Sequence, residues 1–107
     1  LCDGGKADLI LPTGGTGFSP RDCTPEATLH VATRNAQGIA DAMRYCSLQV
    51  TPRAMLSRGV SVIRGKTLII NLPGSTKAVR ENLSFILSSL EHGLGILTGR
   101  DGECGGA

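Results

Sequence analysis

Leu9-Ile10-Leu11-Pro12-Thr13-Gly14-Gly15-Thr16-Gly17 is the stretch on which the fold turns. Three consecutive apolar residues between Asp8 and Pro12 predict a short strand buried on both faces, as in a parallel sheet covered by helices. The glycines predict a tight loop directly after it. Thr24-Pro25 then predicts a helix, a capping side chain followed by the proline favoured at the first helical position, with the negative charge of Glu26 in the first turn. That helix is expected to run to about Arg34.

The same unit recurs downstream. Leu68-Ile69-Ile70-Asn71-Leu72 is a second apolar strand, Pro73-Gly74 breaks it, and Ser75 is placed to cap the longest helix, on which Val79, Leu83, Ile86, Leu87, Leu90, Leu94 and Leu97 share one stripe. Between the two units, Ile39, Met43, Cys46 and Val50 recur at helical spacing from Gly38 onward, with Asp41, Arg44 and Gln49 on the opposite face, until Thr51-Pro52 ends the pattern. Val60 to Ile63 and Thr67 to Leu72, separated by Arg64-Gly65-Lys66, predict a hairpin. The pattern predicts an α/β fold of three layers, α/β/α, with a mostly parallel sheet. Residues 1–98 form the domain, and the Gly-rich 99–107 stretch, with few apolar residues, is expected to be a flexible tail.

Composition agrees with one small domain. The chain has 107 residues and a formal charge of +2, and with 40% hydrophobic but only 3% aromatic residues its core must be aliphatic. Eleven basic residues interleaved with nine acidic ones, and no more than Phe18, Tyr45 and Phe85 for stacking, argue against a nucleic-acid partner. Cys2, Cys23, Cys46 and Cys104 form no CxxC pair, and His30 and His92 are expected on helix surfaces, so neither zinc nor an iron–sulfur cluster fits. A disulfide framework also reads poorly, with Cys46 on an apolar helical face as a reduced core thiol. No apolar run approaches the roughly 20 residues of a membrane span, and a cytoplasmic location is expected.

Both loops follow strands at their carboxyl ends, where parallel α/β sheets bind ligands. Glycines let the backbone approach a phosphate, and the first turn of the next helix supplies free N–H groups and partial positive charge. Known phosphate fingerprints fail: Pro20 occupies the third glycine of a dinucleotide motif built on Gly15 and Gly17, and Val60 stands at the first glycine of a P-loop ending Gly65-Lys66-Thr67, with a strand following where a helix belongs. Arg21 and Asp22 sit where an arginine meets phosphate and a carboxylate holds Mg²⁺, although a solvated ion pair is the plainer reading. Ser75 as a simple cap and Ser57-Arg58 as a helix terminator are likewise open.

Taken together, Gly14-Gly15-Thr16-Gly17-Phe18-Ser19-Pro20-Arg21-Asp22, Thr24-Pro25-Glu26-Ala27, Met55-Leu56-Ser57-Arg58-Gly59 and Asn71-Leu72-Pro73-Gly74-Ser75 resemble the molybdopterin-binding family, in its Mog and plant Cnx G-domain branch, over Asp8 to Leu97. The resemblance implies a molybdopterin adenylyltransferase acting in molybdenum cofactor assembly, with Mg²⁺ as cofactor and ATP and molybdopterin as substrates. It implies that Asp22 is the catalytic acidic residue and holds Mg²⁺, that Gly14, Gly15, Thr16, Gly17 and Arg21 meet one anionic ligand, and that Ser57, Arg58, Asn71, Pro73, Gly74 and Ser75 line the pterin side. It implies homotrimers as well. Members begin with a further strand, helix and strand carrying acidic residues, which nothing before Leu1 supplies, so the fold is expected to be incomplete at its N-terminus. A paralogue that holds the pterin without catalysis is the competing expectation.

Overall fold

The computed structural model describes residues 3–99. Its elements are β1 (Leu9–Ile10), α1 (Thr24–Val31), β2 (Arg34–Asn35), α2 (Gln37–Leu48), a 3₁₀ turn (Pro52–Leu56), β3 (Ser61–Arg64), β4 (Thr67–Ile70) and α3 (Thr76–Thr98). Residues 100–107 of the expected tail lie outside the described residues.

The strands form one sheet in the order β1-β4-β3-β2. β1 runs parallel to β4, in the register Leu9 to Leu68 and Ile10 to Ile69, and an isolated parallel bridge from Thr13 to Leu72 extends that pairing into the loops. The hairpin β3-β4 is antiparallel around Arg64-Gly65-Lys66-Thr67, with Gly65 at φ +60, and β2 pairs antiparallel with β3. Parallel character is thus concentrated in the pair that carries both glycine loops.

Alternation along β4 sets the layers, because successive side chains face opposite sides of a sheet. Leu68, Ile70 and Leu72 pack with Met43 of α2 and with Ile86 and Leu90 of α3, and Ile70 is fully buried. Asn71, of opposite parity, donates through Nδ2 to the hydroxyl of Thr28 on α1 at 2.9 Å. Hence α2 and α3 cover one face and α1 the other, the three-layer α/β/α arrangement expected. Ser61 ties β3 to the α2 layer: its hydroxyl donates to the Ala36 carbonyl at 2.5 Å and accepts from the Ala40 amide.

Four expectations require correction. The helix expected to reach Arg34 ends at Val31, since Ala32 turns extended (φ −68, ψ 137) and the open edge of β3 offers ladder hydrogen bonds to Thr33, Arg34 and Asn35. β1 is half-buried rather than covered on both faces, and it lies at the sheet edge, paired with β4 alone among the described residues. The side chain of Thr24 does not cap α1; Thr24 is its first residue, after Cys23. Leu87, placed on the apolar stripe of α3, is 58% exposed, while Ser75 caps that helix as expected, accepting from the Ala78 amide at 3.2 Å. His30 and His92 do lie exposed on helices, and Cys23 and Cys46 are free thiols, the first exposed and the second half-buried. No helix among the described residues is long and apolar enough to cross a membrane.

Candidate active site

The parallel pairing of β1 with β4 delivers the two loops side by side. Gly14 donates its amide to the Leu72 carbonyl at 2.9 Å, and the backbones touch at Gly14 and Gly74, where a Cβ built on Gly74 would lie 3.5 Å from the Gly14 Cα. Gly14 and Gly15 both have positive φ, +80 and +70, which L-residues with a side chain adopt only at a cost. Gly15 also lies close under α1: a Cβ there would meet the Thr24 hydroxyl at 2.3 Å.

Peptide planarity turns the hydrogen bonds of this loop into a statement about its donors. In a trans peptide the C=O of one residue and the N–H of the next point in opposite directions. The Gly15 carbonyl accepts from the Thr24 amide (3.1 Å), the Thr16 carbonyl from the Arg58 amide (2.8 Å) and the Gly17 carbonyl from Arg58 Nε (2.8 Å). Three successive carbonyls are therefore pinned by protein donors. The amides of Thr16, Gly17 and Phe18 each point away from the donor that holds the preceding carbonyl, and among the described residues they meet no protein acceptor. Consecutive unpaired amides of this kind form an anion-binding concavity.

Asp22 folds back under the same loop. Its Oδ2 accepts from the Ser19 amide at 3.0 Å, its amide donates to the Ser19 carbonyl, and a Cβ on Gly17 would come within 2.9 Å of that Oδ2. Arg21 is exposed beside it. Among the described residues no three His, Cys, Asp or Glu side chains converge as a metal cage. Mg²⁺ would accordingly fit here only when phosphate oxygens complete its shell, with Asp22 as the protein donor.

Across a gap between α2, the 3₁₀ turn and α3 lies a pocket of ≈ 220 Å³. Ser57, Asn71 and Pro73, expected on the pterin side, line it together with Thr16 of the glycine loop; Gly14, Gly15, Gly17, Arg21, Asp22, Arg58, Gly74 and Ser75 do not. The site thus divides into an amide-lined loop and a pocket, with Thr16 on both. The pocket adds groups that no local motif announces: Arg44 and Ser47 from α2, Thr51 and Arg53 near the 3₁₀ turn, and Glu81 and Asn82 from α3. Their spacing signals only helix faces; tertiary packing brings them together.

Two expected ligand residues are occupied internally. The Asn71 side chain accepts from the Val60 amide (3.2 Å) and donates to Thr28, fastening β4 to β3 and α1. Arg58 bonds the Gly17 and Asp22 carbonyls and pairs with both carboxylate oxygens of Glu26. That bond holds the Glu26 carboxyl below, and the Arg58 guanidinium above, their ordinary values. Arg44, placed by the sequence on the face of α2 opposite its apolar residues, donates to the carbonyls of Ser57 and Gly59 (3.0 and 3.1 Å) and fixes the backbone just before β3.

Residues 2–92 match the family described as "Probable molybdopterin binding domain". A protein named gephyrin from Dictyostelium discoideum is 53% identical over 95 residues, 89% of this chain and 13% of that protein. Molybdopterin adenylyltransferase of Escherichia coli K12 is 51% identical over 83 residues, 78% of this chain and 43% of that protein. The chain therefore spans less than half the length of either relative. The solved structure of the molybdopterin biosynthesis Mog protein from Mycobacterium ulcerans superposes with a TM-score of 0.81 at 46% identity, covering 86% of this chain and 60% of that one.

Proposed function

The chain belongs to the family of probable molybdopterin-binding domains, and from that premise we propose that the protein it comes from adenylylates molybdopterin in molybdenum cofactor biosynthesis. In this reaction a terminal phosphate oxygen of molybdopterin attacks the α-phosphorus of ATP. The bond from the α-phosphorus to the α–β bridging oxygen breaks, and adenylyl-molybdopterin and pyrophosphate leave. The observation that carries the reading is the row of unpaired amides at Thr16, Gly17 and Phe18 beside the Arg44- and Asn82-lined pocket. Phosphoryl and nucleotidyl transfer ask little covalent chemistry of a protein; they ask that two anions be brought into line and their charge be neutralised.

The loop amides hold phosphate oxygens, and the pocket holds the heterocycle through its hydrogen-bonding rim. Asp22 would be the protein donor to an Mg²⁺ arriving with ATP, which would supply charge neutralisation at the phosphates. Homotrimeric assembly is part of the same reading and is checked by sedimentation. The test of function is molybdopterin-dependent pyrophosphate release from Mg·ATP by the full-length protein, with Asp22→Asn alongside. Release requiring molybdopterin, reduced about 10²-fold or more in the variant, is expected, because misplacing a charge stabiliser costs that much. Saturable pterin binding without release would make the protein a non-catalytic carrier, and undiminished release in Asp22→Asn would remove this carboxylate from the mechanism.

A further inference from the structure

Arg58 sits where an arginine would be taken for a phosphate ligand, yet its donors are engaged elsewhere. Of its five guanidinium N–H groups, Nε–H goes to the Gly17 carbonyl, both Nη2 hydrogens go to the Asp22 carbonyl and Glu26, and one Nη1 hydrogen goes to Glu26. Its own backbone amide holds the Thr16 carbonyl. We infer that Arg58 is a positioning residue, whose side chain and amide draw the carbonyls of Thr16, Gly17 and Asp22 to one side so that the following amides face an incoming phosphate. This deepens, and rests on, the reading of the glycine loop as the phosphate site.

The argument runs peptide by peptide. Holding the Thr16 carbonyl orients the Gly17 amide, holding the Gly17 carbonyl orients the Phe18 amide, and holding the Asp22 carbonyl orients the Cys23 amide at the start of α1. Without these bonds Gly17 is free to flip its peptide, which would point a carbonyl dipole at the anion. Glu26, in the first turn of α1, holds the outer edge of the guanidinium, so the arginine is gripped by the helix whose N-terminus it borders. Lysine cannot replace it: a point charge with three donors on one atom lacks the planar fork that reaches three acceptors in fixed directions. A direct charge effect on phosphate and a positioning effect therefore separate in Arg58→Lys, which keeps the charge and the backbone amide but loses the fork.

The experiment uses the full-length protein with inorganic pyrophosphate and Mg²⁺ as probe, in Arg58→Lys and Arg58→Ala. Pyrophosphate affinity is measured by calorimetry and backbone order by hydrogen–deuterium exchange. Arg58→Lys is expected to bind pyrophosphate at least about 10-fold more weakly, a loss of about 1.4 kcal/mol. Exchange should accelerate across residues 14–23 and remain unchanged in β3, β4 and α3. Guanidinium chloride at tens of millimolar, compared with sodium chloride of equal ionic strength, should restore affinity to Arg58→Ala while leaving the unaltered protein unchanged. Wild-type affinity in Arg58→Lys would show that charge alone matters and would overturn the inference. Faster exchange throughout the core, with no guanidinium rescue, would reduce Arg58 to a general stabiliser and overturn it equally. Absence of pyrophosphate binding in the unaltered protein overturns it too. Arg58-dependent binding without AMP transfer leaves the inference standing and removes the adenylyltransferase reading; AMP transfer at undiminished kcat/KM in Arg58→Lys does the reverse.

Discussion

Replacing Gly15 by alanine tests the loop where its geometry is most constrained. At φ +70 an L-residue with a side chain costs about 1–2 kcal/mol. The new Cβ would also stand 2.3 Å from the Thr24 hydroxyl and 3.3 Å from the Thr24 Cβ. The Cβ contact is eased by a shift of a few tenths of an ångström, but Thr24 is β-branched and turning its hydroxyl aside forces a strained rotamer, so overpacking adds about 1–3 kcal/mol. Together these amount to about 2–5 kcal/mol, which lowers the melting temperature of a domain this size by roughly 10 °C or more. Denaturant unfolding of Gly15→Ala, Thr24→Ala and the double variant separates the parts. Thr24 makes no capping bond through its side chain, so Thr24→Ala alone should be mild. The double variant should recover the steric share and keep the backbone share, a coupling of about 1–3 kcal/mol. A Gly15→Ala protein within 0.5 kcal/mol of wild type, or a double variant no better than the sum of its singles, would show that the loop is not held against α1 in this way.

Gly17→Ala should behave in the opposite manner: its φ is unexceptional and its Cβ would meet only the movable Asp22 carboxylate at 2.9 Å, so stability should stay within about 0.5 kcal/mol while AMP transfer falls by up to about 10²-fold. Loss of stability with intact turnover would contradict this. Asn71→Leu strands the half-buried Val60 amide and should cost about 1–3 kcal/mol in urea unfolding; activity lost without that cost would put the Asn71 amide in contact with ligand instead of between the layers. For pH, the Arg58 bond depresses the Glu26 carboxyl and the Arg64 bond depresses that of Asp3. A carboxyl whose folded value lies below its unfolded one stabilises fully above the unfolded value, near pH 4, and loses that contribution as pH falls through the folded value. The stability deficit of Glu26→Gln measured at pH 6 should accordingly shrink below pH 4, and a deficit independent of pH would exclude the Arg58 pair as its source.

The parts of this fold that are legible in the sequence are those fixed by local chemistry. Gly14 and Gly15 announce positive φ, Ser75 announces a cap, and Gly65 announces the hairpin turn, because each requirement lies within a few residues of its cause. β2 is illegible for the converse reason. Arg34 and Asn35 are polar and exposed, and what makes them a strand is the edge of β3, almost thirty residues away. The reading of Leu87 failed on the width of the helical stripe: seven apolar positions are available on α3, and the sheet and α2 cover fewer than the sequence offers.

The candidate site divides along a subtler line. Sequence identifies the residue types able to bind an anion, but not whether their capacity is spent inside the protein. The amides of Thr16, Gly17 and Phe18 keep theirs, since backbone N–H groups that follow pinned carbonyls have nowhere else to turn, whereas Gly14 spends its amide on Leu72 and Asp22 spends Oδ2 on the Ser19 amide. Arg58 and Asn71 carry the same chemistry on paper, yet their partners arrive from Gly17, Glu26, Thr28 and Val60, some ten to forty residues distant. On the proposed reading the charge of Arg58 would act one step removed, ordering the dipoles proposed to meet the phosphate, in a geometry that exists before any ligand arrives. Preorganised amides of that kind need no rearrangement when charge develops at phosphorus, and such fixed dipoles stabilise a transition state more effectively than a mobile side chain recruited at the time of binding.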